Sequence, residues 1–202
     1  MGSWRNLVFL FHILINIVGL SISQPDFVFV DCEESFGNYT TNSTYHTNLN
    51  TLLSSLSSNT NRFGFYNSSL GENPDTVYAT VLCRGDIDLD SCHSCINNAT
   101  SKITQDCPKS KEAVGWYDLC MVRYSNKSIN GKANASGYCS VNPLNVLSVD
   151  QFNKSLTTLF DRLISQAAAG GTLQKFAMGN VSGPDDQTIY GVAQCTPDLS
   201  EK

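Results

Sequence analysis

Two segments of the chain carry the same helical pattern of apolar and polar positions. In each segment the apolar residues recur at i, i+3, i+4 and i+7, which places them on one face of an amphipathic helix. The two sets, 107 residues apart, are Leu49, Leu52, Leu53 and Leu56, and Leu156, Leu159, Phe160 and Leu163. We interpret each apolar face as facing a protein core; a partner-binding face is the alternative.

The repeat extends beyond these helices. Cys32 aligns with Cys139 at the same offset of 107, whereas Cys83 aligns with Cys195 at an offset of 112. An insertion of five residues between a helix and the following strand produces such a change. The pattern therefore predicts two homologous units, the second beginning near Asn134.

Further helices follow from capping signals and periodicity. In the first unit, Asp90 is predicted to cap a second helix that ends near Gln105. The residues predicted to share one side of this helix are Cys92, Cys95, Ala99 and Ile103. In the second unit, Ser148 and Gln151 have capping-box spacing, and they predict a helix over about Val149–Gln166.

Runs of β-branched and aromatic residues predict the strands. In the first unit they cover residues 76–82, 113–116 and 119–124, and in the second they cover residues 189–194. Helices interspersed with hairpin-connected strands indicate an α+β fold, with two helices packed on an antiparallel sheet. We expect the second copy of this fold to be incomplete.

The amino-terminal segment predicts secretion. Arg5 precedes an apolar run from Leu7 to Leu20, and Ser21-Ile22-Ser23 follows. This is the pattern of a signal peptide, and we expect residues 1–23 to be removed. A membrane anchor is the alternative, but the run is shorter than the roughly 18–20 apolar residues that a bilayer span needs.

The net negative charge of the mature chain limits the classes of partner that it can bind. Without the signal peptide it has 12 basic and 18 acidic residues, so nucleic acid and anionic membranes are poor partners. We expect a protein secreted to the apoplast. The sequons agree with this route, and the candidate glycosylation sites are Asn38, Asn42, Asn67, Asn98, Asn126, Asn134, Asn153 and Asn180.

All eight cysteines lie outside the signal peptide. An even number in a secreted chain indicates a disulfide framework, although eight cysteines permit 105 pairings. The alternative is a zinc site with a C-x-x-C start. Its four candidate ligands would be Cys92, Cys95, Cys107 and Cys120. Because the compartment is oxidising, we expect disulfides and no metal.

Three segments carry a family resemblance: LCRGDIDLDSCHSC at 82–95, GWYDLCMVRYS at 115–125 and QTIYGVAQCTPDLS at 187–200. They resemble the ginkbilobin-type, or stress-antifungal, domain of plant cysteine-rich receptor-like kinases, cysteine-rich repeat secretory proteins and plasmodesmata-located proteins. The resemblance implies one domain over 24–130 and a partial one over 134–202.

The resemblance also implies how six of the cysteines pair. The three implied bridges are Cys32 with Cys107, Cys83 with Cys92, and Cys95 with Cys120. Cys139 and Cys195 have no partners of the family type before Lys202. We expect these two thiols to stay reduced, to pair with each other, or to form a disulfide-linked dimer. We also expect the second unit to expose apolar surface.

The resemblance further identifies where a sugar would bind. The mannose site of ginkbilobin uses an asparagine, an arginine and a glutamate, and the matching positions here are Glu33, Val114 and Ser125. All three residues differ, so mannose binding is not expected. A carbohydrate-binding antifungal lectin nevertheless remains the alternative function.

No segment of the sequence has a catalytic signature. The serine in Gly179–Gly183 is misplaced for a nucleophile elbow, and Asp86, Asp88 and Asp90 lack the glycine and glutamate of a calcium loop. We therefore expect no catalytic residue, no metal and no cofactor.

The expected function is a non-catalytic extracellular recognition module, similar to receptor-kinase ectodomains in plant defence or stress signalling. Its partner would be an extracellular protein or a cell-wall ligand. If the chain is a fragment of a receptor kinase, we expect it at the plasma membrane.

Overall fold

The structure is a computed structural model that describes residues 27–133, 137, 139–140, 145–170, 174–184 and 186–200. The predicted signal peptide and the sequon at Asn134 lie outside the described residues. Within the described residues, no helix has both the length and the apolar character that crossing a membrane requires.

The first unit is a five-stranded antiparallel sheet with two helices on one face. Along the chain it contains β1 (Phe27–Cys32), a 3-10 turn (Glu34–Phe36), α1 (Thr44–Asn59), β2 (Phe65–Leu70), β3 (Val77–Cys83), α2 (Leu89–Asp106), β4 (Glu112–Tyr117) and β5 (Cys120–Ser125). The strand order is β1-β4-β5-β3-β2. The predicted α+β class is confirmed.

Alternation along the strands places one set of side chains under the helices. On β3, Val77, Ala79 and Val81 are at most 1% exposed and belong to one core cluster with the apolar faces of both helices. The helical residues of that cluster include Leu49, Leu52, Leu53, Leu56, Cys92, Cys95, Ala99 and Ile103. The predicted apolar faces of α1 and α2 therefore do face the core.

The prediction that Asp90 caps α2 is wrong, and Ser148 takes the predicted N-cap position without the predicted hydrogen bond. The cap of α2 is Asp88, whose carboxylate accepts a hydrogen bond from Ser91 N at 2.8 Å, and Asp90 lies within the first turn. Ser148 precedes the helix of the second unit but makes no side-chain capping hydrogen bond. Its backbone, at φ −106° and ψ 68°, departs from the extended conformation usual at an N-cap.

The second unit consists of one helix packed on a hairpin. Its elements among the described residues are α3 (Val149–Ala169), β6 (Lys175–Ser182) and β7 (Thr188–Cys195), and the two strands pair antiparallel. The fully buried cluster is small: Leu159, Leu163, Ala167 and Ala177. The expected exposure of apolar surface is confirmed, since Phe160 is 43% exposed and Ile164 is 57% exposed.

The hairpin of the second unit contacts the end of β3 in the first. Gln194 Nε2 donates to Cys83 O at 2.8 Å, and Gln174 Nε2 donates to Gly85 O at 2.9 Å. A Cβ atom at Gly85 would lie 2.5 Å from Phe176 Cγ, so only glycine permits this close approach. These contacts join side chains of the second unit to the backbone of the first.

Candidate binding site between the two units

The cysteines of the first unit form three disulfides that tie its layers together. The bonded pairs are Cys32–Cys107, Cys83–Cys92 and Cys95–Cys120, the pairs that the family resemblance implies. The first bridge joins β1 to the end of α2, and the other two join α2 to β3 and β5. The four thiolates of the alternative zinc site are thus divided among three different bridges.

The remaining two cysteines are free thiols in different surroundings. Cys139 is exposed, whereas Cys195 at the end of β7 is half-buried. Cys195 occupies the place in the second unit that Cys83 occupies in the first. The helix that carries the partner of Cys83 is α2, and the described part of the second unit contains no counterpart of α2.

The three positions of the predicted sugar site meet around one residue, Glu112. Glu33 N donates to Glu112 O at 3.1 Å, and Ser125 Oγ donates to Glu112 Oε2 at 2.7 Å. Val114 lies two residues further along β4 and is 4% exposed. Sequence reasoning therefore located one real corner of the sheet, on the face opposite the helices.

That corner already holds an ion pair between two residues of the protein. Arg123 Nη2 lies 2.9 Å from Glu112 Oε1, and both side chains are largely buried. Arg123 Nη1 also donates to Lys132 O at 3.3 Å. Both terminal nitrogens of Arg123 and both carboxylate oxygens of Glu112 thus have partners within the protein.

A cavity of about 290 Å³ opens beside this corner, between the outer face of the sheet and the second unit. Its walls combine an aromatic ring, apolar side chains, both charges and a thiol. The residues that define it best are Trp116, Met121, Arg123, Lys132, Cys195 and Asp198. A mixed lining of this kind is typical of small-ligand and peptide sites.

Two buried polar atoms at this cavity have no hydrogen-bond partner among the described residues: Arg123 Nε, a donor, and Asp198 Oδ1, an acceptor. The other carboxylate oxygen of Asp198 accepts from Gly131 N at 2.6 Å. Buried polar groups in folded proteins are nearly always satisfied. Both residues line the cavity, although these two atoms themselves have almost no exposed surface.

Two carboxylates that follow β3, outside the cavity, have lowered pKa values. The pKa of Asp86 is lowered by its hydrogen bond from Arg84 Nε at 2.6 Å, and the pKa of Asp88 is lowered by hydrogen bonds from Ser91. Both carboxylates are therefore stabilised in the charged form and engaged locally. Within the described ranges, no cluster of three or more His, Cys, Asp or Glu residues could hold a metal ion.

Sequence reasoning did not find this cavity. The signal was present in β5, where Met121 and Arg123 alternate with the buried Val122 and Tyr124 and so point to the outer face. The contribution of Asp198 could not be read from the sequence, because it depends on how the second unit folds back onto the first.

Comparison with known proteins relates the chain to plant cysteine-rich repeat proteins. Residues 31–127 match the family described as salt stress response/antifungal. The chain is 36% identical over 182 residues to cysteine-rich repeat secretory protein 38 of Arabidopsis thaliana, covering 89% of this chain and 72% of that protein. It is 44% identical over 184 residues to cysteine-rich receptor-like protein kinase 29 of the same plant.

The match to the kinase covers 89% of this chain and 26% of the kinase, so the chain spans about a quarter of that relative. Solved structures similar to this chain also come from plant cysteine-rich proteins. The tandem DUF26 ectodomains of the Arabidopsis thaliana cysteine-rich receptor-like proteins PDLP5 and PDLP8 are each 26% identical, with TM-scores of 0.70 and 0.75. The likeness covers 87% and 89% of this chain, respectively, and 81% of each of those chains.

Proposed function

The chain belongs to the salt stress response/antifungal family of cysteine-rich repeat proteins, and we propose that it acts there as a non-catalytic recognition module in the apoplast. The family relationship to secretory proteins and receptor ectodomains supports an extracellular module. The finer proposal is that it recognises an extracellular protein during plant defence or stress signalling. If the chain continues into a receptor kinase, the module acts at the plasma membrane.

The cavity between the two units is the observation that carries this proposal. It brings the charged residues Arg123 and Asp198 and the ring of Trp116 together on one concave surface. A peptide segment presents a carbonyl, an N–H and an apolar side chain in similar proximity, and so matches this lining. Recognition needs only this complementarity, whereas catalysis would need a positioned nucleophile or acid–base pair.

Binding measurements on the full chain test the proposal. Purified chain is passed over immobilised ectodomains of the related receptor-like kinases and secretory proteins, and over a glycan array that includes mannose. We expect binding to at least one ectodomain and none to mannose, since Glu33, Val114 and Ser125 replace the sugar-binding residues. Mannose binding, with no ectodomain bound, would favour the lectin function instead.

A pair of charge reversals ties the binding to the cavity. Lys132 lines the cavity, whereas Lys127 lies outside it, over the ring of Phe36. Lys132→Glu should weaken ectodomain binding and Lys127→Glu should not. Equal effects of the two variants would contradict the placement of the site.

We also propose that the chain forms a disulfide-linked dimer through Cys139, the exposed free thiol. Exchange with an oxidised thiol compound or a disulfide-forming enzyme of the secretory route supplies the oxidant, which accepts the two electrons and two protons of the pair. Non-reducing electrophoresis should show a dimer that Cys139→Ser abolishes. A dimer that persists in Cys139→Ser but not in Cys195→Ser would overturn the choice of thiol.

A further inference from the structure

The hairpin of the second unit presents one bare apolar face. Ile189 and Ala193 pack toward α3, so Tyr190 and Val192, which alternate with them along β7, point the other way. Tyr190 is 76% exposed, Val192 is 50% exposed, and Met178 on the paired strand is 61% exposed. We call this surface the outer hairpin face; it consists of Met178, Asn180, Tyr190 and Val192.

The matching face of the first unit is covered. Tyr78 is the counterpart of Tyr190, and it lines a cavity together with Ser128, Ile129 and Asn130. Ile129 is only 6% exposed there. The segment that follows β5 therefore lies over the outer face of β2 and β3, and no described segment lies over the outer hairpin face in the same way.

One residue of the outer hairpin face lies in an N-glycosylation sequon. Asn180 begins the sequon Asn180-Val181-Ser182 and is the cross-strand partner of Tyr190. Its side chain is exposed and makes no hydrogen bond among the described residues. Side chains of directly paired residues lie within roughly 5.5 Å of each other at Cβ, so a sugar on Asn180 Nδ2 starts beside the tyrosine ring.

Four other sequons among the described residues lack this combination. Asn67 Nδ2 donates to Asn130 Oδ1 at 2.9 Å, Asn126 has a buried carbonyl oxygen, and Asn98 lies on the helix α2. Asn153 is exposed on α3 but has no cross-strand aromatic partner. It therefore provides a matched control within the same unit.

We propose that an N-linked glycan on Asn180 covers the outer hairpin face, with its first N-acetylglucosamine packed on the ring of Tyr190. The C–H face of a pyranose is apolar and fits an exposed aromatic ring, while its hydroxyl groups stay in water. An exposed apolar surface favours aggregation. The attached sugar covers this surface and presents bulky, soluble hydroxyl-bearing groups to water instead.

The attachment is ordinary glycosyl transfer in the secretory route. A lipid-linked oligosaccharide is the donor. A bond forms between Asn180 Nδ2 and the anomeric carbon of the sugar, the bond from that carbon to the lipid pyrophosphate breaks, and the lipid pyrophosphate leaves with the electron pair. The amide nitrogen loses one proton, and no oxidant is needed. The inference rests on the secretory route but not on the proposed recognition function.

The experiment uses the full chain secreted from a eukaryotic cell line that makes only high-mannose glycans. Glycopeptide mass spectrometry measures occupancy of Asn180. Asn180→Gln and Ser182→Ala remove the sequon in two independent ways, and Asn153→Gln removes another sequon of the same unit. Binding of a fluorescent apolar dye reports exposed apolar surface, and circular dichroism verifies that each variant is folded.

We expect Asn180 to be occupied and dye fluorescence to rise in Asn180→Gln and Ser182→Ala but not in Asn153→Gln. Endoglycosidase trimming to the first sugar should leave fluorescence low. In that trimmed protein the N-acetyl methyl proton resonance should show an upfield ring-current shift that Tyr190→Leu removes. An unmodified Asn180, unchanged dye binding in both variants, or an unshifted methyl resonance overturns the proposal.

Discussion

The two units begin with the same helix and strand pattern, yet only the first buries that pattern fully. Leu56 and Leu163 occupy matching positions and are both completely buried, whereas Leu53 is 4% exposed and its counterpart Phe160 is 43% exposed. In the first unit α2 packs beside α1 and β5 pairs with β3. The described second unit has neither neighbour. An amphipathic face is thus necessary for a core, but the packing layer beside it decides how much is buried.

Removal of the longest disulfide should have the largest effect on this comparison. Cys32 and Cys107 are 75 residues apart, and a loop of that length contributes about 4 kcal/mol in the chain-entropy account. The double variant Cys32→Ser/Cys107→Ser should lower the free energy of unfolding of the first unit by about that amount. Urea denaturation measures it.

Cys139→Ser, compared as the reduced monomer, is the control for that variant because its thiol is exposed and unpaired. The midpoint of urea denaturation of Cys139→Ser should match that of the wild-type protein. A loss of less than about 1 kcal/mol in the double variant would show that packing alone holds β1 to α2.

Truncation of the matching core leucines should give the next largest effect. Leu56→Ala should cost about 3 kcal/mol, in the middle of the range for buried leucines, because two helices and the sheet hold its cavity open. Leu163→Ala should cost less, since the small cluster around it can collapse into the space. Equal losses in chemical denaturation would show that the second core is as rigid as the first.

Hydrogen exchange should distinguish the stability of the two units strand by strand. Amides of β3 and β5, which are paired on both sides, should exchange at least about a hundredfold more slowly than those of β7, which pairs on one side only among the described residues. Mass spectrometry of peptides from the exchanged protein checks this. Comparable protection after residue 145 would contradict the view of the second unit as the less stable region.

Much of this contrast could be predicted from the sequence, because repeats and periodicity are local signals. The strands β1, β2 and β6 were missed. β2 reads Phe65-Tyr66-Asn67-Ser68-Ser69-Leu70, with three polar residues at its centre, and its strand conformation comes from pairing with β3. The disulfide pairs came from family resemblance, since spacing alone leaves 105 possibilities.

The candidate site was less predictable than the fold. Glu33, Val114 and Ser125 were correctly singled out as one location, but the ion pair between Glu112 and Arg123 that fills it depends on strand register. Register is a tertiary property that alternation of side chains does not specify. The cavity beside it forms only where the two units contact each other, so local sequence patterns do not predict it.

The smallest expected effect concerns the two helix starts, and pH makes it measurable. Asp88 caps α2 through Ser91, whereas Ser148 makes no side-chain cap on α3. Hydrogen bonds from Ser91 lower the pKa of Asp88 below its ordinary 3.8. The charged carboxylate therefore contributes stability above that pH, and the contribution is lost as pH falls through the lowered pKa. Asp88→Ala should reduce the urea midpoint at neutral pH, by an amount that shrinks below pH 3.8.

Asp88→Asn retains a capping oxygen without the charge, so its cap should not change with pH, while Ser148→Ala should leave the midpoint unchanged throughout. If Ser148→Ala destabilises the protein as much as Asp88→Ala, both helices are capped in solution, and the difference between the two units does not extend to their helix starts.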